Sequence, residues 1–289
     1  CIRDSPCPGR RVDRSVSSPR DVGEHTGPGR GEPSGGGDQA GRRARHRGTL
    51  AVIARTRFHA VTAGVARVKQ RELLVPARRV RVAERGRDPA RFAPRPTEEI
   101  TTTRRALGLE DGDRALLAVG RQDLTKGHPR LLDAFDEVAA TRPDVVLLIA
   151  GREGSATPEL QRRHRAMVHG ERVRILGHRD DVAVLLQVAT LAVCSSVREG
   201  AAGALIEAMA SGTPIVTTRL EGLEGVLTDG VNAVVVEPGR LAEGISRVLD
   251  DTVAAAQRTE TARADFAERF TVERSARTLR EVYRWAART

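Results

Sequence analysis

The chain has 289 residues, room for one large or two small domains, and its 48 basic against 38 acidic residues give a formal net charge of +10. Aromatic residues make up only 2%, so platforms for stacking single strands are missing; the charge reads as a solvated arginine-rich surface, with no specific nucleic-acid partner expected. Cys1, Cys7 and Cys194 form neither a disulfide framework nor a metal-binding spacing, and no apolar run approaches the roughly 18 residues of a membrane span.

Residues 1–50 hold ten Gly, five Pro and ten Arg without apolar periodicity, a composition that predicts a disordered basic arm over 1–48. The sequence opens on Cys1 rather than Met, and a fragment is expected. A helix is predicted through Val65 to Leu74 and a short strand at Val80 to Val82. Gly86 to Pro94 is a turn-rich connector in which prolines block a helix. Thr101 to Leu109 suits a short helix ending at Gly108. Regular alternation then begins. Strands are predicted at Ala115–Val119, Val145–Ala150, Val173–Leu176, Leu191–Cys194, Pro214–Thr217 and Ala233–Val236. Helices between them run from His128 to Thr141, Pro158 to Val168 and Val182 to Val188, with another after a Gly/Ala turn at 200–204. Three more follow: Arg240 to Leu249, Val253 to Phe270, and Thr271 to Ala287. The fold class is therefore α/β, a doubly wound parallel sheet over 98–270.

In such sheets ligands sit at the C-terminal ends of the strands. The segment after Leu191–Cys194 places Glu199 in a small-residue turn and Glu207 eight positions on, one turn inside a helix. Amides at that helix N-terminus suit an anion, while the two carboxylates suit the hydroxyls of a sugar and a ribose. After the first strand of the alternation come Arg121 and Lys126, a fork and a point charge for phosphate oxygens. Lys126 is one of only two lysines in a chain that otherwise uses arginine. The competing reading is a pair of solvated loop cations. The Gly177–Asp181 loop can frame a nucleobase; equally, Asp181 can cap the helix that starts at Val182. Asp111 and Asp113 look like a metal-binding pair but precede a strand, at the wrong sheet edge, and read as a turn. Cys194 reads as a small core residue, and Tyr283 and Trp285 as packing residues of the last helix.

In this order and spacing the motifs resemble the donor-binding half of the group 1 (family 4) glycosyltransferases, whose GT-B fold pairs two Rossmann-like domains. The resemblance rests on Val119-Gly120-Arg121 with Lys126-Gly127, on Ile149-Ala150-Gly151, on Ile175-Leu176-Gly177, and above all on the E-x7-E segment. Asp229-Gly230-Val231-Asn232 and, in the connector, Gly86, Asp88, Phe92 and Pro94 add to it. It implies that Arg121 and Lys126 hold a donor diphosphate and that Glu199 acts on the sugar beside the amides of Gly200, Ala201 and Ala202. Glu207 would then hold the ribose, with Gly177, Arg179 and Asp181 bordering the base. It further implies sugar transfer with retention from a UDP-, GDP- or ADP-type donor to a glycan or lipid. No metal and no other cofactor would be needed. Separately, with no long apolar run and no visible signal peptide, a cytoplasmic location is expected, with contact at the inner face of a membrane. Residues 49–97 would be the remnant of an acceptor domain with the connector, and 271–289 a helix crossing back onto it. The alternative is a truncated, inactive nucleotide-sugar-binding module. Two departures stand out: Ala201 and Ala202 where the family often has Phe and Gly, and Gly225 where many members carry Glu.

Overall fold

Two parallel sheets of unequal size follow from two kinds of apolar run. The computed structural model describes residues 56–200 and 202–288, and all of these fall in one compact unit. The expected arm over 1–48, the start of the expected remnant (49–55) and Ala201 lie outside the described residues.

The small sheet pairs β1 (Phe58–Ala60) with β2 (Val80–Val82), Phe58 opposite Val80, and α1 (Ala63–Leu73) connects them. Strands of three residues bury little, and the cluster they share with α1 is Ala60, Ala66, Val75 and Val80. The sequence predicts no strand at β1, because Phe58–Ala60 lies in a stretch, 51–66, that mixes apolar and basic residues without a clear period. Thr62 caps α1 by accepting from the Val65 amide at 3.1 Å, and its hydroxyl donates to the Gly222 carbonyl at 2.6 Å. This ties the small sheet to the loop at 221–224, where Arg67 also pairs with Glu224 at 2.6 Å.

After the connector, α2 spans Thr97–Ala106, four residues earlier than its predicted start. Pro96 precedes it, Glu98 and Glu99 occupy its first turn, and Arg104 and Arg105 its last. Each charge complements the nearer end of the helix dipole.

The large sheet comprises β3 (Arg114–Val119), β4 (Val145–Ala150), β5 (Val173–Gly177), β6 (Leu191–Cys194), β7 (Ile215–Thr218) and β8 (Val234–Val236). All pair in parallel, in the order β5-β4-β3-β6-β7-β8. The chain enters at β3, builds outward to β5, returns past β3 to β6, and builds outward again. Helices α3 (His128–Ala139), α4 (Thr157–Ala166), α5 (Val182–Val188) and α6 (Gly203–Ser211) make the crossovers. Side chains alternate between faces, so adjacent residues of β3 serve two cores. Leu116 joins Leu147, Phe135 and Ile245, whereas Leu117 joins Leu148, Ile206, Met209 and Phe270. Every residue of β4 is buried, as expected of a strand covered on both faces.

Helices α7 (Leu241–Asp250), α8 (Thr252–Arg269) and α9 (Val272–Ala287) close the chain. Trp285 of α9 sits between the Arg57 and Arg81 guanidinium groups, 4.9 and 5.0 Å from their carbons. Tyr283 does not pack as the sequence suggests: it is exposed, because the face of α9 that meets the protein carries Val282 instead. Among the described residues no helix is long and apolar enough to cross a membrane.

Candidate active site

The turn-back between β3 and β6 creates a crevice at the C-terminal edge of the sheet, the place where open α/β folds receive ligands. The loop after β3 ends at Gly127, whose φ of +65° admits the abrupt entry into α3. A Cβ at this glycine would stand 2.1 Å from the Ser195 carbonyl oxygen of the loop after β6. The two loops are further joined by the Ser195 hydroxyl donating to the Lys126 carbonyl (2.9 Å) and the Val197 amide donating to that of Thr125 (2.8 Å).

This junction brings two of the sequence-predicted residues together. Lys126 Nζ lies 2.6 Å from Glu199 Oε1, and the Ser196 hydroxyl donates to the same oxygen at 2.6 Å. The Glu199 side chain is only 10% exposed and that of Lys126 28%, so the pair is weakly screened by water. It flanks a cavity of about 30 Å³ with Val119, Cys194, Ala202 and Leu205. Cys194 is thus at the site's edge as well as in the core. Its thiol donates to the Ser196 hydroxyl at 3.3 Å, and burial pushes it up from the usual thiol range.

Ala202 adopts left-handed backbone, φ 37°, uncommon for a residue with a Cβ, and α6 starts after it without a side-chain cap. The first amides of α6 therefore lack the usual side-chain acceptor. Glu207, one turn in, does not point at an empty pocket. Its Oε1 accepts from Arg87 Nε of the connector at 2.7 Å. Sequence reasoning missed Arg87, and no local spacing signals it, since it lies 120 positions from its partner. Gly200 touches Thr62 through its carbonyl at 3.5 Å.

Arg121 stands apart from the Lys126–Glu199 pair. Its side chain is 65% exposed and leans on Asp123 at 3.4 Å and on the Glu153 carbonyl at 3.4 Å. Its neighbour Gln122, also missed, is buried. Gln122 donates to the Gly151 carbonyl at 3.3 Å and accepts from the Thr157 hydroxyl at 2.8 Å, stitching the loops after β3 and β4. In the loop after β5, Gly177 has φ +66°, and Arg179 holds Asp181 through two bonds of 2.8 and 2.5 Å. The Arg179 guanidinium keeps the Asp181 carboxyl below the usual range. Asp181 consequently does not cap α5, which corrects that sequence reading: α5 begins with no side-chain hydrogen bond.

Residues 99–265 match the family described as glycosyl transferases group 1. The chain belongs to this family. Among curated relatives, a D-inositol 3-phosphate glycosyltransferase of Corynebacterium urealyticum is 29% identical over 217 residues, covering 71% of this chain and 51% of the relative. A glycogen synthase of Mycobacterium tuberculosis is 34% identical over 185 residues, covering 61% and 44%. The chain thus spans about half the length of the curated relatives it matches. The crystal structure of Anabaena HepE in complex with UDP and glucose superposes with a TM-score of 0.75 at 22% identity, over 84% of this chain and 67% of that one. The fold is that of the C-terminal, Rossmann-like half of a GT-B glycosyltransferase.

In this chain Asp111 and Asp113 lie before β3, at the sheet edge away from the crevice. Asp113 accepts from the Glu110 amide at 2.8 Å, and Gly112 has φ +94°. They form a turn. Among the described residues no cluster of three His, Cys, Asp or Glu is arranged to hold a metal. A larger cavity of about 360 Å³ lies at this same far edge, lined by Arg114, Pro214, Leu249 and Ala255, and includes none of the candidate residues.

Proposed function

We propose that this chain is the donor half of a glycosyltransferase that moves a sugar from a nucleoside diphosphate to a glycan or lipid, with retention and without a metal. The observation that carries this reading is the Lys126–Glu199 pair at the switch point, beside the uncapped start of α6. HepE was solved with UDP and glucose, which supports a nucleoside-diphosphate donor.

The chemistry assigns each group a task. Phosphate oxygens of the donor compete with Glu199 for Lys126, and the freed carboxylate turns to the sugar hydroxyls. As the bond from C1 to the phosphate oxygen breaks, charge grows on the leaving diphosphate. Lys126, Arg121 and the amides from Gly200 to Ala202 stabilise that charge. The acceptor hydroxyl oxygen forms the new bond at C1, and its proton passes to the departing diphosphate oxygen. Glu207 accepts from the ribose hydroxyls, and the loop from Gly177 through Arg179 to Asp181 borders the base. In this reading β1, α1 and β2 are the last elements of an acceptor-side domain, onto which α9 crosses.

Thermal unfolding with UDP-, GDP- and ADP-sugars tests the reading. One of them is expected to raise the Tm of the full chain, and Lys126→Ala to abolish the rise. Absence of a rise with every donor would overturn it. Release of nucleoside diphosphate then separates an active chain from one that only binds.

A further inference from the structure

We propose that Arg87 is a positioning residue, one that presets Glu207 for the ribose of the donor; this rests on the donor reading above. A glutamate on a helix surface has several rotamers of similar energy, and each one lost on binding weakens the grip. Here the carboxylate is fixed beforehand. Arg87 Nε donates to Glu207 Oε1 at 2.7 Å, and Nη1 of the same guanidinium donates to the Gly86 carbonyl at 3.2 Å. The anchor's backbone is itself tied down: the Arg87 amide donates to the Phe270 carbonyl at 2.8 Å, and its carbonyl accepts from the Val272 amide at 2.9 Å. The connector is thereby laid against the turn between α8 and α9.

Gly203 opens the way. It is the first residue of α6, and a Cβ there would come within 2.2 Å of Arg87 Nη2. A glycine in a helix is unfavourable relative to alanine, and so is a cation beside a helix N-terminus. Neither serves α6. Both are accounted for by the Arg87–Glu207 contact. Arg87 occupies one of about four lone-pair sites on the carboxylate, leaving enough for the two hydroxyls of a ribose. Nucleoside affinity is thus tied to the connector, outside the loops that carry Lys126 and Glu199.

The test is titration calorimetry on the full chain with UDP and with 2′,3′-dideoxy-UDP, which lacks both ribose hydroxyls; ADP and GDP pairs are run in parallel. Wild type is expected to bind the ribose form more tightly. Arg87→Leu should lower that affinity roughly tenfold and leave the dideoxy form unchanged, with Arg87→Lys in between. Gly203→Ala keeps both side chains but displaces the guanidinium, and should act like Arg87→Leu without lowering Tm. Equal losses for the two nucleotides, or no loss, would overturn the role of Arg87 while leaving the donor reading intact. A wild-type chain that binds none of the nucleotides would overturn both.

Discussion

Lys126 and Glu199 meet at 2.6 Å although their loops leave neighbouring strands from which the sheet grows in opposite directions. Neither loop makes the contact alone, and the backbone bonds between Ser195, Val197 and the Thr125–Lys126 segment hold the register between them. Removing Lys126 leaves a mostly buried carboxylate with, among the described residues, the Ser196 hydroxyl as its remaining donor. Lys126→Ala is therefore expected to cost about 1–3 kcal/mol of stability as well as donor binding. Glu199→Gln keeps a hydrogen-bond acceptor and should cost less. Urea denaturation of the two variants, compared with wild type, checks the order.

Gly127 is the tightest point of that junction. Gly127→Ala places a Cβ at a φ of +65° and against the Ser195 carbonyl, so a loss of about 2–4 kcal/mol is expected, with weakened donor binding. Gly112, at φ +94° with open space around it, is the control. Gly112→Ala should lose about 1–2 kcal/mol and leave binding alone. Equal effects of the two changes on binding would refute the account of the junction.

His128 opens α3 next to Lys126 and is 3% exposed. Among the described residues its Nδ1 has no hydrogen-bond partner. Burial, with the Lys126 charge beside it, pushes the imidazole from 6.5 down to about 4. The unfolded chain therefore binds a proton between these values that the folded chain does not. Its contribution to stability is complete above pH 6.5 and is lost as pH falls toward 4, by about 2 kcal/mol at pH 5. Denaturant midpoints across pH 5–8 should slope for wild type and flatten for His128→Leu. Parallel slopes would refute this.

Trp285 is the chain's single tryptophan, and it reports one contact: α9 against the small sheet, between Arg57 and Arg81. Among its described residues α9 buries Val282 alone, far less than the sheet helices. Tryptophan emission in urea is expected to change at lower concentration than far-UV circular dichroism, as α9 detaches before the core opens. Coincident curves would show that α9 is held as firmly as the core.

Much of the large sheet was legible because strands buried on both faces read as short apolar runs. Val145–Ala150 and Leu191–Cys194 carry that signal without ambiguity. Helix ends were less so. The start of α2 is set by Pro96 and the charges of Glu98 and Glu99 rather than by apolar period, and α2 stops at Ala106 before Gly108 turns left-handed at φ +66°. At the site, sheet topology alone placed Lys126 and Glu199 at one edge. That they would bind each other was not legible, because each was read as facing a ligand. Arg87 was not legible for a different reason. Its partner lies across the fold, and its neighbours Gly86 and Asp88 read as a turn and as part of the resemblance, neither of which points to Arg87. Asp181 shows the reverse failure: a residue type suited to capping was taken by the nearer Arg179.

Two registered residue pairs join β3 to β6, the fewest along the large sheet, whereas six join β3 to β4. The crevice therefore straddles the thinnest seam in the backbone ladder. The loops extend that short join: Gly127 against Ser195, and Lys126 against Glu199. Changing these residues to alter what the crevice accepts also means undoing fasteners between the two halves of the sheet.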